Sequence, residues 1–280
     1  MKNTNVYRKN QSTIVEMDGI LKGWEQWFLF MSDEHYDSKH CQRNLLLNHH
    51  EEALRKKAGI FKFGDVFDCM GGKYDPRTHR GSVRPEYQVK NYFQAVERDA
   101  AKFYMPYKKN ILFISVGNHE DSVLKRHEHD LTSGLAERLG DHIITGAYRG
   151  FILFRFKRGA RCETKVLSYT HGTGGNSPVT KGAINTQRRQ SSVQADMFVS
   201  GHLHSEFEIP RTIVTVNTHG RIIEYKVPHW QLGTYENKNM KDSWEDRKDF
   251  DAPGVGGRWV RFYCDGRGPI KAQSFLTDLF

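Results

Sequence analysis

Five times along this chain a short apolar run stops at a cluster of Asp, Asn, His and Gly. Trp27–Met31 runs into Ser32-Asp33-Glu34-His35, and Ile60–Phe63 into Gly64-Asp65-Val66-Phe67-Asp68. Ile111–Val116 runs into Gly117-Asn118-His119-Glu120, Val166–Thr170 into His171-Gly172, and Met197–Ser200 into Gly201-His202-Leu203-His204. Apolar runs of four to six residues bounded in this way read as buried strands. In an α/β sheet the carboxyl ends of the strands face one crevice, so five such clusters can converge there.

The connecting segments agree with that reading. Residues 38–58 carry Leu45, Leu46, Leu47 and Leu54 among polar residues and read as a helix, with Gly59 as its stop. Residues 87–106 form a second helix around Tyr92, Phe93, Val96 and Phe103, and helical segments continue to about Leu139. The order β-α-β-α-β-α implies a mostly parallel sheet. Later segments are strand-like: Gly150–Phe156, Thr164–Thr170, Phe207–Val214, Ile222–Trp230 and Arg258–Tyr263, with only Val179–Gln190 helical. Thr13–Met17 reads as an edge strand. The expected fold is α/β, a four-layer α/β/β/α sandwich of two stacked mixed sheets flanked by helices. The expected organisation is a single domain over 1–280, with 1–24 as an N-terminal extension and 236–257 as a charged, Gly-rich loop.

Composition excludes several classes. No apolar run approaches the ~18 residues of a membrane span, and 12% aromatic residues is too heavy a load for a disordered chain. The first residues have no apolar signal-peptide core, and Cys41, Cys69, Cys162 and Cys264 show no CxxC spacing. A reducing, cytoplasmic setting is the expectation. Lys and Arg outnumber Asp and Glu by 42 to 33, a net charge of +9 that favours an anionic partner such as DNA or RNA.

Carboxylates mixed with imidazoles suit Mn, Zn, Fe or a similar divalent ion, whereas Ca would call for oxygen alone. On an extended segment, residues two apart point the same way, which would set Asp33 beside His35 and His202 beside His204. Each motif also has a plainer reading. Gly-Asp after a strand is often a turn, Asn118 can cap a helix, and His-x-His can be two surface histidines. Five such motifs in order, each after an apolar strand, outweigh those readings.

This ordered set resembles the calcineurin-like metallophosphoesterase superfamily over residues 27–204. The carrying motifs are D-x-H, G-D-x-x-D, G-N-H-E, a strand-end His and G-H-x-H. The resemblance implies that Asp33, His35, Asp65 and His204 hold one divalent ion. Asp65, Asn118, His171 and His202 would hold the other, with Asp65 bridging. Mn is the expected metal, with Zn, Fe, Ni or Co as alternatives. The implied reaction is hydrolysis of a phosphoester by a metal-bridging hydroxide, with His119 protonating the leaving oxygen or stabilising its charge. Protein phosphatases of this superfamily continue the second motif with Asp-Arg-Gly, but here Cys69-Met70 follows Asp68. Purple acid phosphatases carry a Tyr at the Asp68 position. Asp68 is therefore expected to orient a histidine, and Glu34 to be solvated or to support a ligand.

Two basic runs leave ligand-bearing strand ends. Residues 69–86 carry Lys73, Arg77, Arg80 and Arg84, and residues 172–190 carry Lys181, Arg188 and Arg189. Arg77, Arg80, Arg188 and Arg189 are the expected substrate-binding residues. Trp230, Tyr235 and Trp244 are expected in the core, and His49, His50, His127 and His129 on the surface. The leading function is a two-metal phosphodiesterase or nuclease acting on nucleic acid. A phosphomonoesterase or small-molecule phosphodiesterase is the alternative, and a scaffold that has lost catalysis the third. A scaffold would be expected to have lost ligands, and none of the seven positions is substituted.

Overall fold

The apolar strand residues alternate between two environments, and that alternation builds the layers. The computed structural model describes residues 4–69, 82–175, 182–237, 254–266 and 268–277. In β3 (Glu25–Met31), Phe28 and Phe30 point into one apolar cluster while Leu29 and Met31 point into another. β4 (Gly59–Phe63) repeats this, with Phe61 and Phe63 on the first side and Ile60 on the second. A strand buried on both faces needs a layer on each side.

The six-stranded sheet has the order β13-β12-β3-β4-β5-β6. Here β5 is Ile111–Ser115, β6 Ile144–Gly146, β12 Arg258–Tyr263 and β13 Lys271–Leu276. The steps β3-β4-β5-β6 are parallel, and β12 is antiparallel to both β3 and β13. Against its outer face pack α1 (Arg43–Lys56), α2 (Tyr92–Tyr104), α3 (Asn118–His127) and α4 (Leu131–Leu139), through Leu46, Val96, Val123 and Leu135. Its inner face stacks on a seven-stranded sheet of order β1-β2-β7-β8-β9-β11-β10. Those strands are β1 (Thr4–Lys9), β2 (Ser12–Met17), β7 (Arg149–Arg158), β8 (Arg161–Thr170), β9 (Met197–Ser200), β10 (Phe207–Val216) and β11 (Ile222–Gln231). Aromatic edges fill the space between the sheets; Phe28 meets Phe154 with ring centroids 5.2 Å apart. α5 (Ala183–Ser192) sits on the outer face of the second sheet, completing the α/β/β/α sandwich. No helix among the described residues is long and apolar enough to cross a membrane.

Several local expectations differ from the structure. Thr13–Met17 is not an edge, because β2 is flanked by β1 and β7. Gly59 does not stop α1. The chain leaves that helix at Lys57 in a left-handed conformation (φ 52°), and Gly59 already belongs to β4. His49 and His50 are buried, not on the surface. His127 and His129 pack on Phe93 at centroid distances of 5.1 and 5.6 Å. Trp230 and Tyr235 are buried as expected, and Trp244 lies outside the described residues.

Candidate metal centre

All five clusters meet at the carboxyl ends of β3, β4, β5, β8 and β9. Asp33 Oδ1 lies 3.2 Å from His204 Nε2, and His35 Nε2 lies 3.1 Å from His204 Nε2. Asp65 Oδ2 lies 3.0 Å from His171 Nε2. Asn118 Oδ1 lies 3.0 Å from His171 Nε2 and 2.7 Å from His202 Nδ1. Among the described residues four groups of donor atoms could hold a metal ion, among them Asp33–His35–His204, Asp65–His171–His202 and His35–Asp68–Glu236. Asp65 also groups with His35 and His119, so it reaches towards both of the first two.

The convergence does not come from extended backbone. Asp33 (φ 53°), His35 (φ 45°), Asp65 (φ 50°), His202 (φ 74°) and His204 (φ 55°) are all left-handed, in loops beyond the strand ends. Backbone hydrogen bonds brace these loops. Asp33 N donates to Gly64 O and His35 N to Asp65 O, both at 3.1 Å. His202 N donates to Asp33 Oδ2 at 2.8 Å, while Tyr235 N (3.0 Å) and Thr234 Oγ1 (2.9 Å) donate to Asp33 O. Glycine is required where loops touch: a Cβ on Gly117 would stand 2.3 Å from Asp65 N, and one on Gly64 2.7 Å from Gly117 Cα.

The donor set fits a divalent cation. Bonds of ~2.1 Å give ligand–ligand edges of about 3.0–3.4 Å in octahedral or tetrahedral shells; Asp33–His204, His35–His204, Asp65–His171 and Asn118–His171 lie at 3.0–3.2 Å, while Asp33 Oδ1 and His35 Nε2 are 4.0 Å apart. Asp33 Oδ1 is buried without a hydrogen bond although three imidazole Nε2 atoms lie within 4.0 Å. Burial alone would raise the Asp33 and Asp65 carboxyls, but the charges of His171 and neighbouring histidines hold both well below the usual range. Against its own burial, His171 is pushed up to about 9 by Asp65 and Asp33. The carboxylates thus demand positive charge at this spot, which protons or metal ions can supply.

Around the donors stand positioning groups. Asp68 Oδ1 lies 3.3 Å from His35 Nδ1 and 3.4 Å from His119 Nδ1. His119 Nδ1 donates to the Asp68 carbonyl at 2.7 Å, which turns Nε2 towards Asp65 Oδ2 at 3.7 Å. Asn118 is the first residue of α3, and the N-cap is Gly117. Of the expected substrate-binding arginines, Arg188 is exposed. Arg189 is instead turned into the α5–sheet interface, donating to Ser168 Oγ and Tyr169 O, both at 2.7 Å. Arg77, Arg80, Lys73 and Lys181 lie outside the described residues.

Three further carboxylates, Glu120, Asp37 and Glu34, brace the loops around the centre. Glu120 accepts the backbone N–H of Gly117 (2.8 Å), Asp65 (3.0 Å) and Phe67 (3.0 Å), tying two ligand loops together. Its trace in the sequence is the reciprocal half of a capping box, Glu three residues after the N-cap. Asp37 is buried and accepts Asp68 N at 2.7 Å. Glu34 is fully buried rather than solvated, paired with Lys62 Nζ at 2.6 Å. No sequence spacing signals either of the last two contacts.

No protein-family model and no curated protein matches the sequence. Among solved structures, the chain is similar to a conserved uncharacterised protein, a predicted phosphoesterase, of Streptococcus pneumoniae. That pair has 11% identity and a TM-score of 0.34 over 90% of this chain and 99% of that one. It is also similar to GAP50, the anchor in the inner membrane complex of Plasmodium, with 13% identity and a TM-score of 0.47 over 89% and 84%. A Thermotoga maritima protein gives 12% identity and a TM-score of 0.33 over 90% and 99%.

Proposed function

We propose that this chain is a two-metal-dependent phosphoester hydrolase, acting as a phosphodiesterase on nucleic acid. The carrying observation is the pair of donor groups, Asp33–His35–His204 and Asp65–His171–His202, with Asp65 reaching both. The motif order's resemblance to the calcineurin-like metallophosphoesterases supports the same reading. Asn118, 2.7 Å from His202, completes the second set. Two divalent ions, Mn first among the candidates, would supply Lewis-acid activation and charge neutralisation for an in-line displacement at phosphorus.

The chain's own residues do the rest. His119 keeps Nδ1–H on the Asp68 carbonyl, so that its imidazolium form would give the Nε2 proton to the leaving oxygen and return to the neutral ring. Asp68 steadies His35 and His119 together. The net charge of +9 and the exposed Arg188 favour a polyanion. The test is a hydrolysis panel with the Mn-loaded protein: p-nitrophenyl phosphate, bis(p-nitrophenyl) phosphate, and single- and double-stranded DNA and RNA. Cleavage of the diester and of a nucleic acid supports the reading. Cleavage of the monoester alone replaces it with a phosphomonoesterase, and no cleavage with Mn, Zn, Fe, Ni or Co leaves a scaffold.

A further inference from the structure

β10 and β11 outgrow the sheet they belong to. They pair in one register from Phe207 with Gln231 to Val216 with Ile222, but β9 pairs only with His229, Trp230 and Gln231. α5 braces the hairpin at its base. Gln190 Nε2 donates to Ile209 O (3.1 Å) and Val227 O (3.3 Å), and the Arg211 guanidinium donates to Gln190 O. Beyond Arg211 and Val227 the hairpin is an arm in which only Ile213 and Asn217 are even half-buried.

The arm does not have the residues of a solvated loop. Val214 is 64% exposed, Val216 60%, Ile222 74% and Tyr225 46%. Strand alternation puts Val214, Val216 and Ile222 on one face and Ile213, Ile223 and Tyr225 on the other, so the arm is apolar on both. A two-stranded hairpin is marginal in water, and independent stability comes with three or more strands. The free edge is built to add them. β10 is the last strand of its sheet, and Thr212-Ile-Val-Thr-Val216 is β-branched throughout, with no charge, Pro, Gly or bulge. Such an edge templates pairing with another strand, and proteins normally block it with charges or short strands. The other described edges are blocked in that way. β1 carries Arg8 and Lys9, β6 has 3 residues, and β13 opens on Lys271.

The arm also points away from the metal centre. β11 runs parallel to β9, and Gln231 pairs with Ser200, just before Gly201 and His202. Ile222 lies at the other end of the strand, ~30 Å away at ~3.3 Å per residue. A substrate held at the centre is therefore not the occupant of the tip. We propose that the arm binds a second copy of this chain, β10 pairing antiparallel with the same strand of the other copy across a two-fold axis. Pro210, which has no N–H, and the turn closed by Asn217 N to Arg221 O bound the pairable stretch. The register that uses all of Thr212–Val216 sets Val214 against itself, Thr212 against Val216 and Ile213 against Thr215. No charge faces a charge across this seam, because Arg211 falls opposite Asn217. Two marginal hairpins become one four-stranded ribbon. So short a seam buries less than the ~1,200–2,000 Å² of a stable interface, so the dimer is reversible and concentration-dependent. Both metal centres stay open at the far ends, and the inference is independent of their chemistry.

Sedimentation velocity of the full chain in chelator, from about 1 to 100 μM, tests the pairing. A shift from monomer to dimer with concentration is expected. Because Val214 meets itself, Val214→Lys and Val214→Glu each set like charges face to face, and each should weaken dimerisation at least about ten-fold. Val214 is exposed, so both variants should melt with the parent. Mixed in equal amounts they should form a heterodimer near the parental affinity, since lysine then faces glutamate. A parent that stays monomeric at the highest concentration overturns the proposal. So do single variants that dimerise like the parent, or a mixture of the two folded variants that stays monomeric.

Discussion

β4 buries a lysine, and removing its ammonium tests how the loop above it is held. Lys62 Nζ donates to Glu34 Oε1 at 2.6 Å and to His50 Nε2 at 3.2 Å, and stands 4.1 Å from the Tyr104 ring centroid. Both charged side chains have 0% exposure. Burial lowers the Lys62 pKa, and the Glu34 charge opposes that shift. Among the described residues Glu34 also accepts from the Tyr104 hydroxyl at 2.6 Å. Lys62→Met would leave a buried carboxylate with a single hydroxyl, an expected loss of ~3–5 kcal/mol. At ~2.1 cal/mol/K per residue over 280 residues, the melting temperature should fall by about 5–9 °C. Glu34 stands between Asp33 and His35, so metal affinity should fall with stability. The double variant Glu34→Gln/Lys62→Met removes both charges and should recover most of the loss. Thermal unfolding of the metal-free proteins and a metal titration of each give the double-mutant cycle. A Lys62→Met loss under ~1 kcal/mol, or a double variant worse than the sum of the singles, would refute the reasoning.

The remaining expectations concern the centre itself. Two divalent ions per chain should bind, and Asp65→Asn should reduce that number; a stoichiometry unaffected by the change would end the bridging role. At 100 times its dissociation constant, bound metal should add ~2.7 kcal/mol per site, seen as a melting temperature that rises with metal concentration and reverts with a chelator. His119→Ala should keep both ions and lose ~10²–10⁴-fold in turnover. The loss should be smaller for good leaving groups; equal losses would make His119 a shaping residue only. Glu120→Gln takes the charge from three backbone N–H groups, and an expected cost of ~1–3 kcal/mol is checked by urea unfolding.

What could be read from the sequence was whatever repeats at short range. The apolar run Trp27–Met31 announces a buried strand, and the β-α-β order of the first half with the strand-rich second half pointed to the two-sheet sandwich. The ligand-type residues were legible because each follows such a strand. Their geometry was legible only in outcome: the pairs were expected on extended backbone, and they converge through left-handed turns instead. Contacts between distant segments left no trace. Lys62 reads as a break in an apolar strand until Glu34, His50 and Tyr104 are brought around it by folding. His49 and His50 read as surface residues because α1 is polar in composition. His50 Nδ1 donates to Leu46 O at 2.7 Å, which leaves Nε2 to accept from Lys62. Arg189 reads as part of a basic run, yet its partners lie on β8.

Five of the eight described non-glycine residues with left-handed backbone are ligand-type residues of the centre. An L-residue in that region costs about 1–2 kcal/mol, and Asp, Asn and His tolerate it better than most. The residue types that bind metal are thus also types that accept the turns bringing them together. Hydrogen bonds such as His202 N to Asp33 Oδ2 hold the turns in place, so the strain is built into the loops. This makes a prediction of unusual sign. Replacing His35 or His204 with Ala or with Gly removes the same imidazole, so the two variants differ only in backbone preference. In ordinary helix Ala is the more stable by ~0.5–1 kcal/mol, and His119 in α3 serves as that control. At His35 (φ 45°) and His204 (φ 55°) the order should reverse, Gly exceeding Ala by about 1 kcal/mol. Chemical unfolding of the six variants in chelator measures it free of any metal. If Ala is the more stable at both loop positions as well as at His119, the left-handed turns do not exist in solution, and the convergence of the donors needs another explanation.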